Sequence, residues 1–245
     1  MDTTIFTFLN MGALLGWTFV LLLLLSQLSA IQSILPLIIQ QLTLPFFDTP
    51  IFDTTTSSPD DRLPIINLLL FLEGICFIEV GRIAIGQLKG NLVLGVILHL
   101  IRMSCLLIVL PAGLTSPSDT KVMISTLVLY SWALTEVGRY PMYLFPSSAM
   151  ARYVRLVLPI VTFPVGAFAE AVGAYWHLKQ LLLVGADDDA TRSSLHWVQV
   201  GLLVMVVGIN SLLGPTMAYP ALLKKGLPVL LGKKDKSKSA RKKKD

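Results

Sequence analysis

Between Trp132 and Trp176 the chain reads WALTEVGRYPMYLFPSSAMARYVRLVLPIVTFPVGAFAEAVGAYW. It is apolar enough to sit in a bilayer, yet it carries Glu136, Arg139, Arg152, Arg155 and Glu170. An ionisable side chain at membrane depth costs at least about 2.5 kcal/mol, so it faces a protein interior or a water-filled cavity and marks a candidate functional site. A fourth span, from about Val122 to Leu144, and a fifth, from about Arg152 to Trp176, are expected to meet here.

Working outward, the rest of the chain has the same character. Of its 245 residues, 54% are hydrophobic and 14% charged, and the mean hydropathy of +0.71 lies outside the range of soluble domains. Several apolar runs approach or exceed the roughly 20 residues that a helix needs to cross the hydrocarbon. The expected fold is all-α, a single polytopic bundle with no soluble domain left over.

Six spans are expected. The first opens at Asn10, Gly16 and Trp17 and runs to about Leu42, with Pro36 expected to kink or end the helix and leave a short interfacial piece from Leu37 to Phe47. It is too long for a signal peptide's apolar core, and no basic residue precedes Arg62, so a cleaved leader is not expected. DTPIFDTTTSSPDD, from Asp48 to Asp61, reads as a loop. The second span covers about Leu63 to Leu88, and Lys89, Gly90 and Asn91 turn the chain into the third, about Leu92 to Leu110, which Pro111 and Gly113 should end. An acidic loop is expected from His177, and the sixth span, about Leu195 to Leu213, should break at Gly214, Pro215 and Pro220. Basic and non-basic loops alternate, which by the positive-inside rule puts both termini on the cytoplasmic, or matrix-like, side. Residues 1–223 then form the membrane domain and residues 224–245 a basic, disordered tail.

The net charge of +5 belongs to that tail. From Lys224 onward there are ten basic and two acidic residues, which leaves ten basic and thirteen acidic in the remainder, a balance of −3. KKDKSKSARKKKD offers neither aromatics nor helical order, so anionic lipid headgroups are its expected contact and nucleic acid is not. Cys76 and Cys105 each sit inside an apolar run, as small buried residues do. No metal-ligand spacing occurs, and no cofactor is implied.

Three groups of residues carry the chemistry. Glu79 and Arg82, three apart, are placed to pair along one helix. His99 and Arg102 follow in the next span; the histidine suits a local hydrogen bond, whereas the arginine needs a carboxylate such as Glu79 or Glu136 from a neighbouring helix. Phe163 and Glu170 are seven apart and share a face of span five. Gly166, Ala167 and Ala169 let another helix or a long ligand approach closely, and Pro159 and Pro164 should distort the helix.

At these residues the chain resembles the membrane-embedded 3-hydroxyacyl-CoA dehydratases of very-long-chain fatty acid elongation, once called protein-tyrosine-phosphatase-like proteins. The resemblance covers most of the chain. It rests on Asn10, Gly16-Trp17, Glu79, Arg102, Trp132, Thr135-Glu136, Arg139-Tyr140, Arg155, Pro164, Gly166 and Glu170. It implies removal of water from a 3-hydroxyacyl-CoA to give a trans-2-enoyl-CoA, with proton transfers by a tyrosine and a glutamate seven residues later. Glu170 matches the glutamate and is the implied catalytic residue. Glu79, Arg102, Glu136, Arg139, Arg155 and Gly166 become supporting or structural.

The tyrosine position holds Phe163, and Leu98 stands where the family has a glutamine. A phenyl ring neither donates nor accepts a proton, and losing one such group costs about 10²- to 10⁴-fold. Thr162 points elsewhere, and Tyr153 and Tyr175 lie far along the helix axis, so no replacement is visible. The missing hydroxyl favours a catalytically impaired accessory or structural subunit of an elongase-type or respiratory-type membrane complex, with acyl-CoA or lipid in the bundle. The alternative is an active dehydratase using Glu170. Lys242-Lys243-Lys244-Asp245 fits a dilysine retrieval signal, hence an endoplasmic reticulum membrane protein, with the mitochondrial inner membrane as the alternative.

Overall fold

The computed structural model describes residues 3–26, 64–88, 91–184 and 194–231. Pro36, the piece at 37–47, the loop at 48–61, Lys89-Gly90, the aspartates at 187–189 and the tail from 232 onward lie outside the described residues, as does any test of their expected structure.

Local sequence sets the helix boundaries. Helix α1 spans Thr3–Ser26 and α2 spans Pro64–Ala84. Gly86, in the left-handed region at φ 75°, lets the chain turn so that Gln87 and Leu88 donate to the Arg82 carbonyl and close α2. Helix α3, Leu92–Leu114, starts where the Asn91 side chain accepts from the Leu94 N–H at 3.2 Å. Helix α4 spans Asp119–Leu144, following the Ser116-Pro117-Ser118 turn. Helix α5 spans Ala149–Val184, with the Ala151 N–H on the Ser148 hydroxyl at 3.2 Å. Helix α6 comprises Ser194–Gly208, a wide π segment Ile209–Ala218, and Tyr219–Leu230. No strand occurs among the described residues.

The helix-ending role expected of proline is overturned in three places. Pro111 does not end α3, which passes through a π segment, Cys105–Val109, and continues to Leu114. Pro215 lies inside the π segment of α6, and Pro220 in the turn after it, so the chain stays helical to Leu230. A proline ring clashes with the carbonyl four residues back in an α-helix. Widening to i→i+5 bonding moves that carbonyl aside. Pro159 and Pro164 are likewise carried within α5, which runs eight residues past the expected end at Trp176. Lys224 and Lys225 therefore ride on α6, and the boundary expected at residue 224 falls inside a helix.

Among the described residues, four helices are long and apolar enough to cross a membrane: Thr4–Ser26, Leu92–Leu114, Ala149–Leu183 and Leu195–Leu230. The two others, α2 and α4, carry Glu73, Glu79 and Arg82, and Glu136 and Arg139. Their charges explain why they stand apart: the carboxylates and Arg139 are spent inside the bundle.

Helix α4 has its most extensive interface with α5, and α1 also packs along it. Association inside lipid relies on close packing rather than on apolar burial, because lipid tails are as apolar as leucine. Gly166 of α5 shows how this is met. A Cβ there would collide with the Ser131 hydroxyl of α4, which instead donates to the Thr162 carbonyl at 2.7 Å. Trp17, Leu69, Leu72, Leu106, Leu110 and Leu129 fill the core between α1, α2, α3 and α4.

Candidate functional site

Among the described residues, two polar systems occupy the interior. The first is a chain of charges across α2, α3 and α4. Arg102 of α3 places Nη1 2.6 Å from Glu136 Oε1 and 3.4 Å from Glu73 Oε2. Glu136 holds Arg139, one turn on, through Oε2 at 2.7 Å, and Arg139 Nη1 reaches Glu79 Oε2 at 3.5 Å. His99 closes the other end through a short hydrogen bond between Nδ1 and Glu73 Oε1. Arg139 also donates to the Tyr140 hydroxyl at 3.2 Å and lies 3.4 Å from the Cys76 sulfur. Glu73 is 0%, Glu136 1% and Arg102 5% exposed, so every partner in this chain substitutes for water.

Arg102 thus takes Glu136, as expected, and Glu73 rather than Glu79 as its second partner. The expected Glu79–Arg82 pair is not formed. Glu79 turns inward to Arg139, and the Arg82 guanidinium sits 3.6 Å from the centre of the Phe6 ring of α1. Arg155 stands outside the buried chain, with its guanidinium 5.0 Å over the Tyr143 ring and 3.3 Å from the Met142 sulfur. Leu98 is exposed on the surface of α3. His99 fills the hydrogen-bonding role read from its setting, and Cys76 and Cys105 are buried free thiols.

The second system is centred on Glu170. Its carboxylate is held on both oxygens: Trp132 Nε1 of α4 donates to Oε1 at 2.6 Å and Asn210 Nδ2 of α6 donates to Oε2 at 2.7 Å. Trp132 also lies under Arg102, whose guanidinium is 5.3 Å from the ring centre. One side chain therefore touches both polar systems.

Asn210, which holds Glu170, also lines a cleft of about 280 Å³ between α5 and α6, and Glu170 lies buried behind that wall. Phe163, Ala167 and Ala171 form one wall, and Asn210, Pro215 and Tyr219 the other. Phe163 and Ala167 stand on the cleft wall of α5, about two turns and one turn before the buried Glu170. The Phe163 ring stacks on Tyr219, nearly parallel at 8°, with centroids 6.4 Å apart. Its Cζ points at the α6 backbone, 3.7 Å from where a Cβ on Gly214 would stand. Thr162 faces away from the cleft, toward Thr135 of α4 at 2.8 Å.

Sequence reasoning did not single out Glu73, Asn210 or Tyr219. A lone amide in an apolar run is itself a signal of an interior polar contact, and Asn210 could have been found that way. Glu73 could have been found as the second carboxylate, beside Glu79, in a span too apolar to leave it unpaired.

A family model described as protein tyrosine phosphatase-like protein, PTPLA, matches residues 74–224, from within α2 into the last part of α6. No curated protein and no solved structure matches the chain.

Proposed function

The chain belongs to the protein tyrosine phosphatase-like family, the 3-hydroxyacyl-CoA dehydratase family, and from that premise we propose that it dehydrates a long-chain 3-hydroxyacyl-CoA in the cleft between α5 and α6. The observation that carries this reading is the carboxylate of Glu170, buried beside an apolar cleft and fixed there by Trp132 and Asn210. The apolar lining of Phe163, Ala167 and Pro215 suits an acyl chain, and a positioned carboxylate is the group that proton abstraction next to a thioester carbonyl needs. Glu170 takes the Cα proton. The C–H electron pair becomes the new double bond as the C–O bond breaks, and the hydroxyl leaves as water once it is protonated.

Holding the carboxylate on both oxygens costs little at the moment of reaction because Trp132 and Asn210 are already aligned. Trp132 is itself packed against Arg102, so the buried ions of α2, α3 and α4 support the site without joining it. The six helices are read as six spans with both termini on one side. Lys224 and Lys225, near the end of α6, suit contact with anionic headgroups. The lysine pattern at 242–244 supports the endoplasmic reticulum membrane as the location.

The test is turnover of a 3-hydroxypalmitoyl-CoA probe by the purified full chain in detergent, with enoyl-CoA measured by mass spectrometry. Wild-type turnover should fall about 10²- to 10⁴-fold in Glu170→Gln. Equal rates in the two proteins would defeat the assignment.

A second reading is favoured by Phe163. A ring without a hydroxyl at the cleft wall suits a chain that has kept the fold as an accessory subunit of an elongase-type or respiratory-type complex. On that reading the ion chain is retained because it holds three helices together. Absence of wild-type turnover, with a stable fold, would select it.

A further inference from the structure

Dehydration moves two protons, and Glu170 accounts for one. The departing hydroxyl needs a donor inside the same cleft. The chain has six tyrosines, and five of them are elsewhere. Tyr130 donates to the Leu24 carbonyl at 2.5 Å, Tyr140 is engaged with Cys76 and Arg139, and Tyr143 lies under Arg155. Tyr153 and Tyr175 are exposed on the outer surface of α5. Tyr219 alone lines the cleft, and its hydroxyl has no hydrogen-bonding partner among the described residues.

Its presence there is a product of the π segment. Asn210 and Tyr219 are nine residues apart, which at about 100° per residue would set them on opposite faces of an α-helix. Through Ile209–Ala218 the helix advances only roughly 80° per residue, because its bonds run i→i+5, and the Tyr219 N–H itself bonds to the Gly214 carbonyl five residues back. Nine such steps make close to two full turns. The amide that holds Glu170 and the phenol of Tyr219 consequently face the same cleft, and the parallel stack on Phe163 keeps the phenol ring against its wall.

We infer that Tyr219 supplies the second proton-transfer group of the cleft, donating to the departing hydroxyl of a 3-hydroxyacyl thioester while Glu170 takes the Cα proton. This rests on the dehydratase reading. The phenolate left by the step regains its proton from the Glu170 carboxyl through water in the cleft, so the site returns to its starting state. No other reactant is consumed. A hydroxyl absent at Phe163 is thereby present on the ring stacked against it.

The experiment compares wild type, Tyr219→Phe and Ser211→Ala on the 3-hydroxypalmitoyl-CoA probe, each as the full chain with its thermal stability in detergent recorded. Ser211 is the other hydroxyl on the cleft wall. Tyr219→Phe keeps the stacked ring and removes one oxygen, so kcat should fall about 10²- to 10⁴-fold with KM and stability nearly unchanged. Ser211→Ala tests the competing hydroxyl and should lose less than Tyr219→Phe. An active wild type with Tyr219→Phe within about threefold of it, or with the loss confined to Ser211→Ala, overturns the inference and leaves the dehydratase reading standing. A folded wild type without turnover overturns both.

Discussion

Arg102→Met tests whether the buried ion chain holds the bundle together. Arg102 is the cation on which Glu73 and Glu136 converge, at 3.4 and 2.6 Å, from two different helices. After its removal Glu73 keeps His99 and Glu136 keeps Arg139 at 2.7 Å, so the loss amounts to one compensating charge shared by two carboxylates. Removing one partner of a buried ion pair costs about 3–5 kcal/mol, and the flexible methionine fills most of the vacated volume. Loss of the guanidinium over Trp132 adds about 0.5–1 kcal/mol. A destabilisation of about 3.5–6 kcal/mol is therefore expected. The assay is reversible unfolding in mixed detergent micelles, run as a cycle with Glu136→Gln. Because the two residues touch, the double variant should lose less than the sum of the singles, with a coupling of about 1 kcal/mol or more. A destabilisation under about 1 kcal/mol, or strict additivity, would mean that water inside the bundle solvates these ions and that the network is not what joins α2, α3 and α4.

Other outcomes follow from the same geometry. Gly166→Val should drive α5 away from Ser131 and cost about 1–3 kcal/mol in thermal unfolding measurements, as overpacking does. Cysteines placed singly at Ser116 and Ser147, the turns at either end of α4, should be labelled by a membrane-impermeant maleimide from opposite sides of sealed vesicles. Cys76 and Cys105 should remain unlabelled in both because they are buried. Labelling of both engineered positions from one side would remove α4 from the set of spans.

Much of this architecture was legible in the residue string, because apolar length and charge placement survive any detail of packing. Arg102 could be assigned a carboxylate partner from a neighbouring helix, since a lone guanidinium in an apolar run has few alternatives. The choice between Glu73 and Glu79 was not legible. Six residues separate them on α2, and their difference is the direction each faces, which depends on where α3 and α4 settle. Arg82 illustrates the same point: an i,i+3 carboxylate was available, yet an aromatic face on α1 came closer. Asn210 and Tyr219 were hidden for another reason. The sequence reads Pro215 and Pro220 as a stop, whereas a local change of helical pitch accommodates Pro215 and carries the helix on. Reading at a constant period past that residue puts each later side chain on the wrong face.

The wide segment at Ile209–Ala218 consequently acts as a phase shift in how the chain is compared with others. Residues on either side of it belong to two different angular frames, although the helix axis is continuous. A relative lacking the extra width could carry the same phenol at the same point in space and yet display it one position away in an alignment. The hydroxyl would then be scored as missing in one chain and as an unremarked tyrosine in the other. Superposition of cleft walls, helix by helix, is the comparison that would pair such residues, and a one-residue deletion within the segment is the change that would separate them.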